Sequence, residues 1–294
     1  MRRVFSLLAL CLSALVVAVP FVAYGTYGAG LYLLQDALIF PAPDVSREAL
    51  AQQARVAGAT ELELTAADGT RLYGWHVDRG GDRLLLYFHG NGGGVTAAGW
   101  LAEQLPGWDV ASVSYRGYPG SKGAPSEEGL LLDSRALWGW ATDELGVPPE
   151  RIVVHGQSLG GGVALELLTE VRPAGLVLDS TFFSLAEVAG RQAPGLPVSW
   201  LVRHPFRSDQ RAPRVSTPTL LVHGTADELI PYDHGVRLAA ALPDAELVSV
   251  QGCGHGHWLL DDAGAREAWR SFVEARGGPT PLGEVAAGER TDGR

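Results

Sequence analysis

Arg151-Ile152-Val153-Val154-His155-Gly156-Gln157-Ser158-Leu159-Gly160-Gly161-Gly162-Val163-Ala164-Leu165 decides the fold of this 294-residue chain. An apolar strand pattern, Arg151–His155, runs into G-x-S-x-G at Gly156–Gly160, and a helical stretch follows. A serine on so sharp a strand-to-helix turn holds its hydroxyl clear of the backbone, at the positive end of the helix. Glycines flank it because no Cβ fits so tight a turn. The competing reading is a glycine-rich helix start with Ser158 as its N-cap, and it leaves the residues downstream unexplained. Ser158 is expected to be a nucleophile.

A serine hydroxyl attacks only when a base takes its proton, and the base needs an acid to orient it. Behind such an elbow the acid and then the histidine follow in chain order. Asp227 lies in Val222-His223-Gly224-Thr225-Ala226-Asp227, just past a buried strand pattern, and His255 lies in Gly252-Cys253-Gly254-His255, just past the last one. The carboxyl ends of parallel strands are where open α/β sheets place their sites. Asp227 is thus the expected acid, against the alternative of an ordinary turn aspartate before Pro231, and Asp179 is the reserve acid. His255 is the expected base because it directly follows Gly254. His257, two residues on in the same turn, is the reserve base and otherwise rests beside Trp258.

The oxyanion needs two backbone N–H groups aimed at one point. Leu159, directly after the serine, supplies the first. Phe88-His89-Gly90-Asn91-Gly92-Gly93-Gly94 supplies the second, with Asn91 expected ahead of Gly92. The glycines carry neither G-K-[ST] nor dinucleotide spacing, so no phosphate cofactor is expected. His89, His155 and His223 each stand at a strand end beside a glycine and are read as packing or loop-bracing residues. No metal-ligand spacing is present.

Around these motifs the chain alternates. Glu61–Thr65, Ala67-Asp68-Gly69-Thr70 and Arg71–Val77 read as an edge hairpin. Apolar runs at 84–88, 110–113, 152–154, 176–178 and 220–222 read as strands buried on both faces. Helical patterns at 94–105, 126–145, 158–171 and 233–242 separate most of them, and a strand at 245–250 leads to a last helix at 263–274. This predicts an α/β fold with a mostly parallel central sheet and helices on both faces. Residues 181–214, with four prolines and four aromatic residues, read as a long loop able to roof a site. Residues 277–294 read as a polar tail.

A net charge of −10 argues against a nucleic-acid partner. Arg2 and Arg3 precede an uncharged stretch from Val4 to Gln35 that is strongly apolar through Tyr24. Such a run is long enough to span a bilayer and longer than an ordinary signal-peptide core. Residues 1–30 are expected to be an uncleaved transmembrane anchor, and residues 31–276 the catalytic domain. Basic residues before the span place that domain on the extracytoplasmic side. The alternative is secretion after cleavage near Ala23-Tyr24-Gly25.

Taken together, Tyr32–Pro41, Tyr87-Phe88-His89-Gly90-Asn91, Tyr115-Arg116-Gly117-Tyr118-Pro119-Gly120-Ser121, Pro125-Ser126-Glu127, Gly156–Gly160, His223-Gly224 with Asp227, and Gly254-His255 resemble the α/β-hydrolase superfamily. They look closest to its membrane-anchored branch of acyl-protein thioesterases (depalmitoylases) and serine aminopeptidase-like proteins. The resemblance covers roughly residues 30–275. It implies Ser158, Asp227 and His255 as a triad, no cofactor, and hydrolysis of a carboxylic ester or thioester of a lipid-like acyl group. A serine peptidase is the alternative, but 181–214 offers only Glu187 and Asp209 to catch a substrate ammonium. A non-catalytic membrane-tethered binding module is the third reading. Family members usually carry an acidic or amide residue soon after the histidine, where this chain has Gly256-His257.

Overall fold

The computed structural model describes residues 2–256 and 258–276, with the side chains of residues 2–15, 17, 258 and 260 outside that description. The expected tail at 277–294 and the reserve base His257 lie outside the described residues. In chain order the elements are α1 (Arg2–Ile39), α2 (Arg47–Ala57), β1 (Thr60–Thr65), β2 (Arg71–Val77), β3 (Leu84–Phe88), α3 (Ala97–Gln104) and β4 (Asp109–Val113). Then come α4 (Glu127–Gly139), β5 (Ile152–Gln157), α5 (Leu159–Leu167), β6 (Gly175–Asp179), α6 (Leu185–Gln192), α7 (Val198–Leu201) and α8 (Ser208–Arg211). The chain closes with β7 (Thr219–Gly224), α9 (Asp233–Ala241), β8 (Ala245–Val250), α10 (Trp258–Asp261) and α11 (Ala263–Arg276).

The eight strands form one sheet in the order β1-β2-β4-β3-β5-β6-β7-β8. β1 and β2 pair antiparallel, β2 pairs antiparallel with β4, and every later pairing is parallel. The parallel strands are apolar without alternation because helices cover both faces. In β3, Leu84, Leu86 and Phe88 enter the core beneath α4 and α5, while Leu85 and Tyr87 enter the core beneath α3 and α11. The β5, β6 and β7 carboxyl ends lie side by side, which brings the turns after residues 157, 179 and 224 to one rim.

Two expectations change. Residues 181–214 are not a loop but three short helices, α6 to α8, with a 3-10 turn at Ala212–Arg214. Its prolines stand at helix starts and between helices, where a missing N–H costs nothing. The expected boundary at residue 30 is also crossed. α1 runs on through Pro20 and Asp36 to Ile39 and ends just before Pro41. Among the described residues no helix is long and apolar enough to cross a membrane. Much of the apolar run that motivated that expectation has its side chains outside the described residues.

Candidate active site

The Ser158 elbow is strained, and the sheet holds it. Ser158 has φ 51° and ψ −114°, a left-handed backbone that a side chain rarely adopts. Its N–H donates to the Asp179 carbonyl at 2.7 Å, and its carbonyl accepts from Gly161 N–H at 3.0 Å. The elbow also needs Gly160. A Cβ there would lie 2.0 Å from the Phe88 carbonyl oxygen, on a β3 backbone that cannot move.

His255 completes the site from the turn after β8. Its Nε2 lies 3.0 Å from Ser158 Oγ, and its Nδ1 lies 2.7 Å from Asp227 Oδ2. Hydrogen bonds thus run from serine to histidine to carboxylate, drawn from three turns separated by up to 97 residues. Asp227 Oδ1 accepts from Leu229 and Ile230 N–H at 3.0 and 2.8 Å. Burial alone would raise this carboxyl. The hydrogen bonds from His223 and His255, the charge of His255 and the Ile230 N–H outweigh it and hold Asp227 well below the usual carboxylate range. The carboxylate is therefore ionised wherever the protein is folded at moderate pH, which is what orienting an imidazole requires.

His223 does more than brace. Its Nε2 lies 2.8 Å from the Ile230 carbonyl and 3.4 Å from Asp227 Oδ2, so it fixes the acid loop and touches the acid. Its place four residues before Asp227, at the end of a buried strand, was the available sequence signal. Asp179 does not meet His255 in any described bond. It presents its carbonyl to the Ser158 elbow, and its side chain lines a different cavity with Tyr87, His155 and Gln157.

Leu159 is the first residue of α5, so its N–H has no acceptor within the helix. Asn91 sits across from it, and both line the cavity onto which Ser158 opens. Packing shapes the Asn91 loop. His89 lies with its ring 4.1 Å from that of Tyr115 and 5.1 Å from that of Tyr118, and its Nδ1 bonds the Gly90 carbonyl at 2.9 Å. Burial pushes His89 down to about 4, so the ring is neutral and Nδ1–H donates. The Tyr115 loop is pinned in turn by Arg116, which bonds Asp133 and Asp68.

The comparisons with known proteins agree with this architecture. A family profile described as alpha/beta hydrolase fold matches residues 83–202, and one described as TAP-like protein matches residues 193–281. The uncharacterized protein Rv2307c of Mycobacterium tuberculosis is 38% identical over 220 residues, which cover 72% of this chain and 78% of that one. This chain belongs to the alpha/beta hydrolase superfamily. The alpha/beta hydrolase domain-containing protein aho-3 of Caenorhabditis elegans is 37% identical over 197 residues, covering 65% of this chain and 57% of that one. A Pyrococcus furiosus esterase shares the fold, with a TM-score of 0.64 at 21% identity over 76% of this chain and 96% of that one.

Within this superfamily fold, the space above the serine gives a site its reach. Here it is a cavity of about 480 Å³, floored by Ser158 and Leu159 and walled by α6, α7 and the second half of α1. Its described lining carries no Asp, Glu, Lys, Arg or His. The two carboxylates that 181–214 offered are engaged elsewhere. Glu187 pairs with Arg237, and Asp209 pairs with Arg207. Among the described residues no cluster of potential metal ligands occurs.

Proposed function

We propose that this chain is a serine hydrolase that cleaves carboxylic ester or thioester bonds of an apolar acyl substrate through an acyl-enzyme. The observation that carries the proposal is the run of hydrogen bonds from Ser158 through His255 to Asp227, opening onto an apolar cavity. In this reading His255 Nε2 accepts the Ser158 proton as Oγ attacks the acyl carbon. The backbone N–H groups of Leu159 and Asn91 hold the oxyanion. The imidazolium, steadied by Asp227, returns the proton to the departing alcohol or thiol. Water then attacks the acyl-enzyme, His255 again taking and returning one proton, and the free acid leaves. The uncharged lining favours an acyl group over the free ammonium that an aminopeptidase must hold.

The proposal includes a place for the enzyme. Phe21, Val22 and Leu33 on α1 are 74%, 66% and 74% exposed, and the uncharged run continues upstream of them. Apolar surface of this extent is covered in the working protein. A bilayer fits it, with Arg2 and Arg3 on the cytoplasmic side and the hydrolase domain on the other. This supports a membrane-anchored setting.

The test is labelling of detergent-solubilised protein with a fluorophosphonate, followed by an ester and thioester series. Labelling should vanish in Ser158→Ala and His255→Ala and survive in His257→Ala. A folded wild type that does not label would favour a binding module instead. Sodium carbonate extraction tests the anchor separately, and release into the supernatant would sink that part alone.

A further inference from the structure

One wall of the cavity over Ser158 is α1 itself. Gly28, Leu31, Tyr32, Gln35, Leu38 and Ile39 line it, at spacings of three and four that place them on one helical face. Opposite stand Leu185, Val188, Ala189 and Gln192 of α6, with the same spacing. From Gly28 to Ile39 the helix axis advances about 16 Å at 1.5 Å per residue. The lining thus extends from the serine along α1 and the 181–214 segment.

Its two ends differ. Ser158 lies at the Ile39 end. Asn91 Nδ2 donates to the Leu38 carbonyl at 3.3 Å, and a Cβ on the adjacent Gly90 would sit 3.3 Å from that of Ser158. At the far end Leu196 packs against Gly28, where a Cβ on the glycine would lie 3.1 Å from Leu196 Cδ2. Beside it Gly195 has φ 86°, and a Cβ there would meet Tyr24 Oη at 3.2 Å. The walls are fastened to each other. Buried Gln35 donates to the Leu201 carbonyl at 3.2 Å and accepts from Arg203 N–H at 2.7 Å. Beside it Asp36 pairs with Arg203 at 2.9 Å and His204 at 3.2 Å.

We infer that Gly28 and Leu196 are the end stop of an acyl channel and set the chain length the enzyme accepts; the reacting end rests on the serine hydrolase reading. A straight hydrocarbon chain is the ligand that fits, because the lining is mostly Leu, Ile, Val and Ala, carries no charged side chain, and has its Gln35 amide already engaged. At about 30 Å³ per water-sized group, 480 Å³ admits on the order of sixteen methylene-sized groups. The glycine matters because any side chain at 28 projects into the seat of Leu196 and shortens the channel. Leu196 matters because truncating it opens the channel toward Tyr24.

The experiment measures kcat/KM for p-nitrophenyl esters from two to sixteen carbons in wild type, Gly28→Ala, Gly28→Leu and Leu196→Ala. The readout is the ratio of long-chain to short-chain values. Gly28→Leu should lower this ratio about tenfold or more, the scale of a methylene or two misplaced in an apolar pocket, and Leu196→Ala should raise it. Gly28→Ala, a smaller step in the same direction, keeps the test alive should Gly28→Leu not fold. Folded variants whose ratio stays that of wild type overturn the end stop. A second arm uses the Ser158→Ala protein and displacement of a bound fluorescent apolar dye by fatty acids of graded length. A cutoff there that moves with residues 28 and 196 supports the channel even if no ester is cleaved. Absence of any length cutoff there refutes it even if esters are cleaved.

Discussion

Asp227→Asn tests the chemistry most sharply, because the surroundings of this carboxylate dictate how the amide must sit. Oδ1 accepts from two backbone N–H groups, of Leu229 and Ile230. Only the amide oxygen can take that place, since an NH2 there would face two donors. The new NH2 then occupies the Oδ2 position, 2.7 Å from His255 Nδ1. It can only donate, so Nδ1 must accept and the ring proton moves to Nε2. That proton now points at Ser158 Oγ, 3.0 Å away. The imidazole can no longer accept the serine proton, although every heavy atom has kept its place. A triad in the wrong tautomer loses about 10⁴-fold in kcat. At 1.36 kcal/mol per factor of ten this is about 5.5 kcal/mol of transition-state stabilisation. The assay is kcat on a p-nitrophenyl ester and the rate of fluorophosphonate labelling, beside a thermal melt to establish folding. Folded Asp227→Asn that keeps activity within about tenfold of wild type would refute the reasoning. So would Asp179→Asn, if it cost as much while leaving the melt unchanged, since the acid would then be the other aspartate.

Three further outcomes are expected. Ser158→Gly should abolish labelling yet raise stability by about 1 kcal/mol in urea melts, because glycine relieves the left-handed backbone at φ 51°. Gly160→Ala should destabilise by about 3 kcal/mol, since its Cβ would lie 2.0 Å from the Phe88 carbonyl oxygen and 2.5 Å from the carbonyl carbon. Urea unfolding at successive pH values should show stability falling as pH drops below 6.5. Burial pushes His89 down to about 4 and His155 down to about 3 from an ordinary value of 6.5. In that window the unfolded chain binds protons that the folded chain refuses. The loss is about 1.4 kcal/mol per pH unit for each histidine, fully absent above the unfolded value and complete below the folded ones. A flat profile between pH 4 and 6.5 would show that these rings are protonated in the fold.

Much of the fold was legible because short-range physics wrote it. Unalternating apolar runs marked β3 to β7, the turn at Asp68-Gly69 marked the hairpin, and the order of serine, aspartate and histidine marked the rim. α2 was missed although Ser46 caps its start and left-handed Gly58 ends it. Leu50 and Val56 are its only large apolar residues, and only Leu50 and Ala54 are buried. The helices of 181–214 were missed because α7 and α8 are four residues each, too short for a periodicity to register. They form by resting on α1 and α5, not by propensity.

By itself the sequence determined the class of fold, the elbow at Ser158 and the three residues that meet there. These follow from local turn geometry and from where parallel strands end. The tertiary structure alone decided that His223 shares Asp227, that Asp179 serves the elbow through its carbonyl, and that α1 is a wall of the cavity. Each is a contact between segments far apart in the chain. The lining stripe of α1 could not be picked out beforehand, since a helix apolar on every side shows no face until a partner covers one of them.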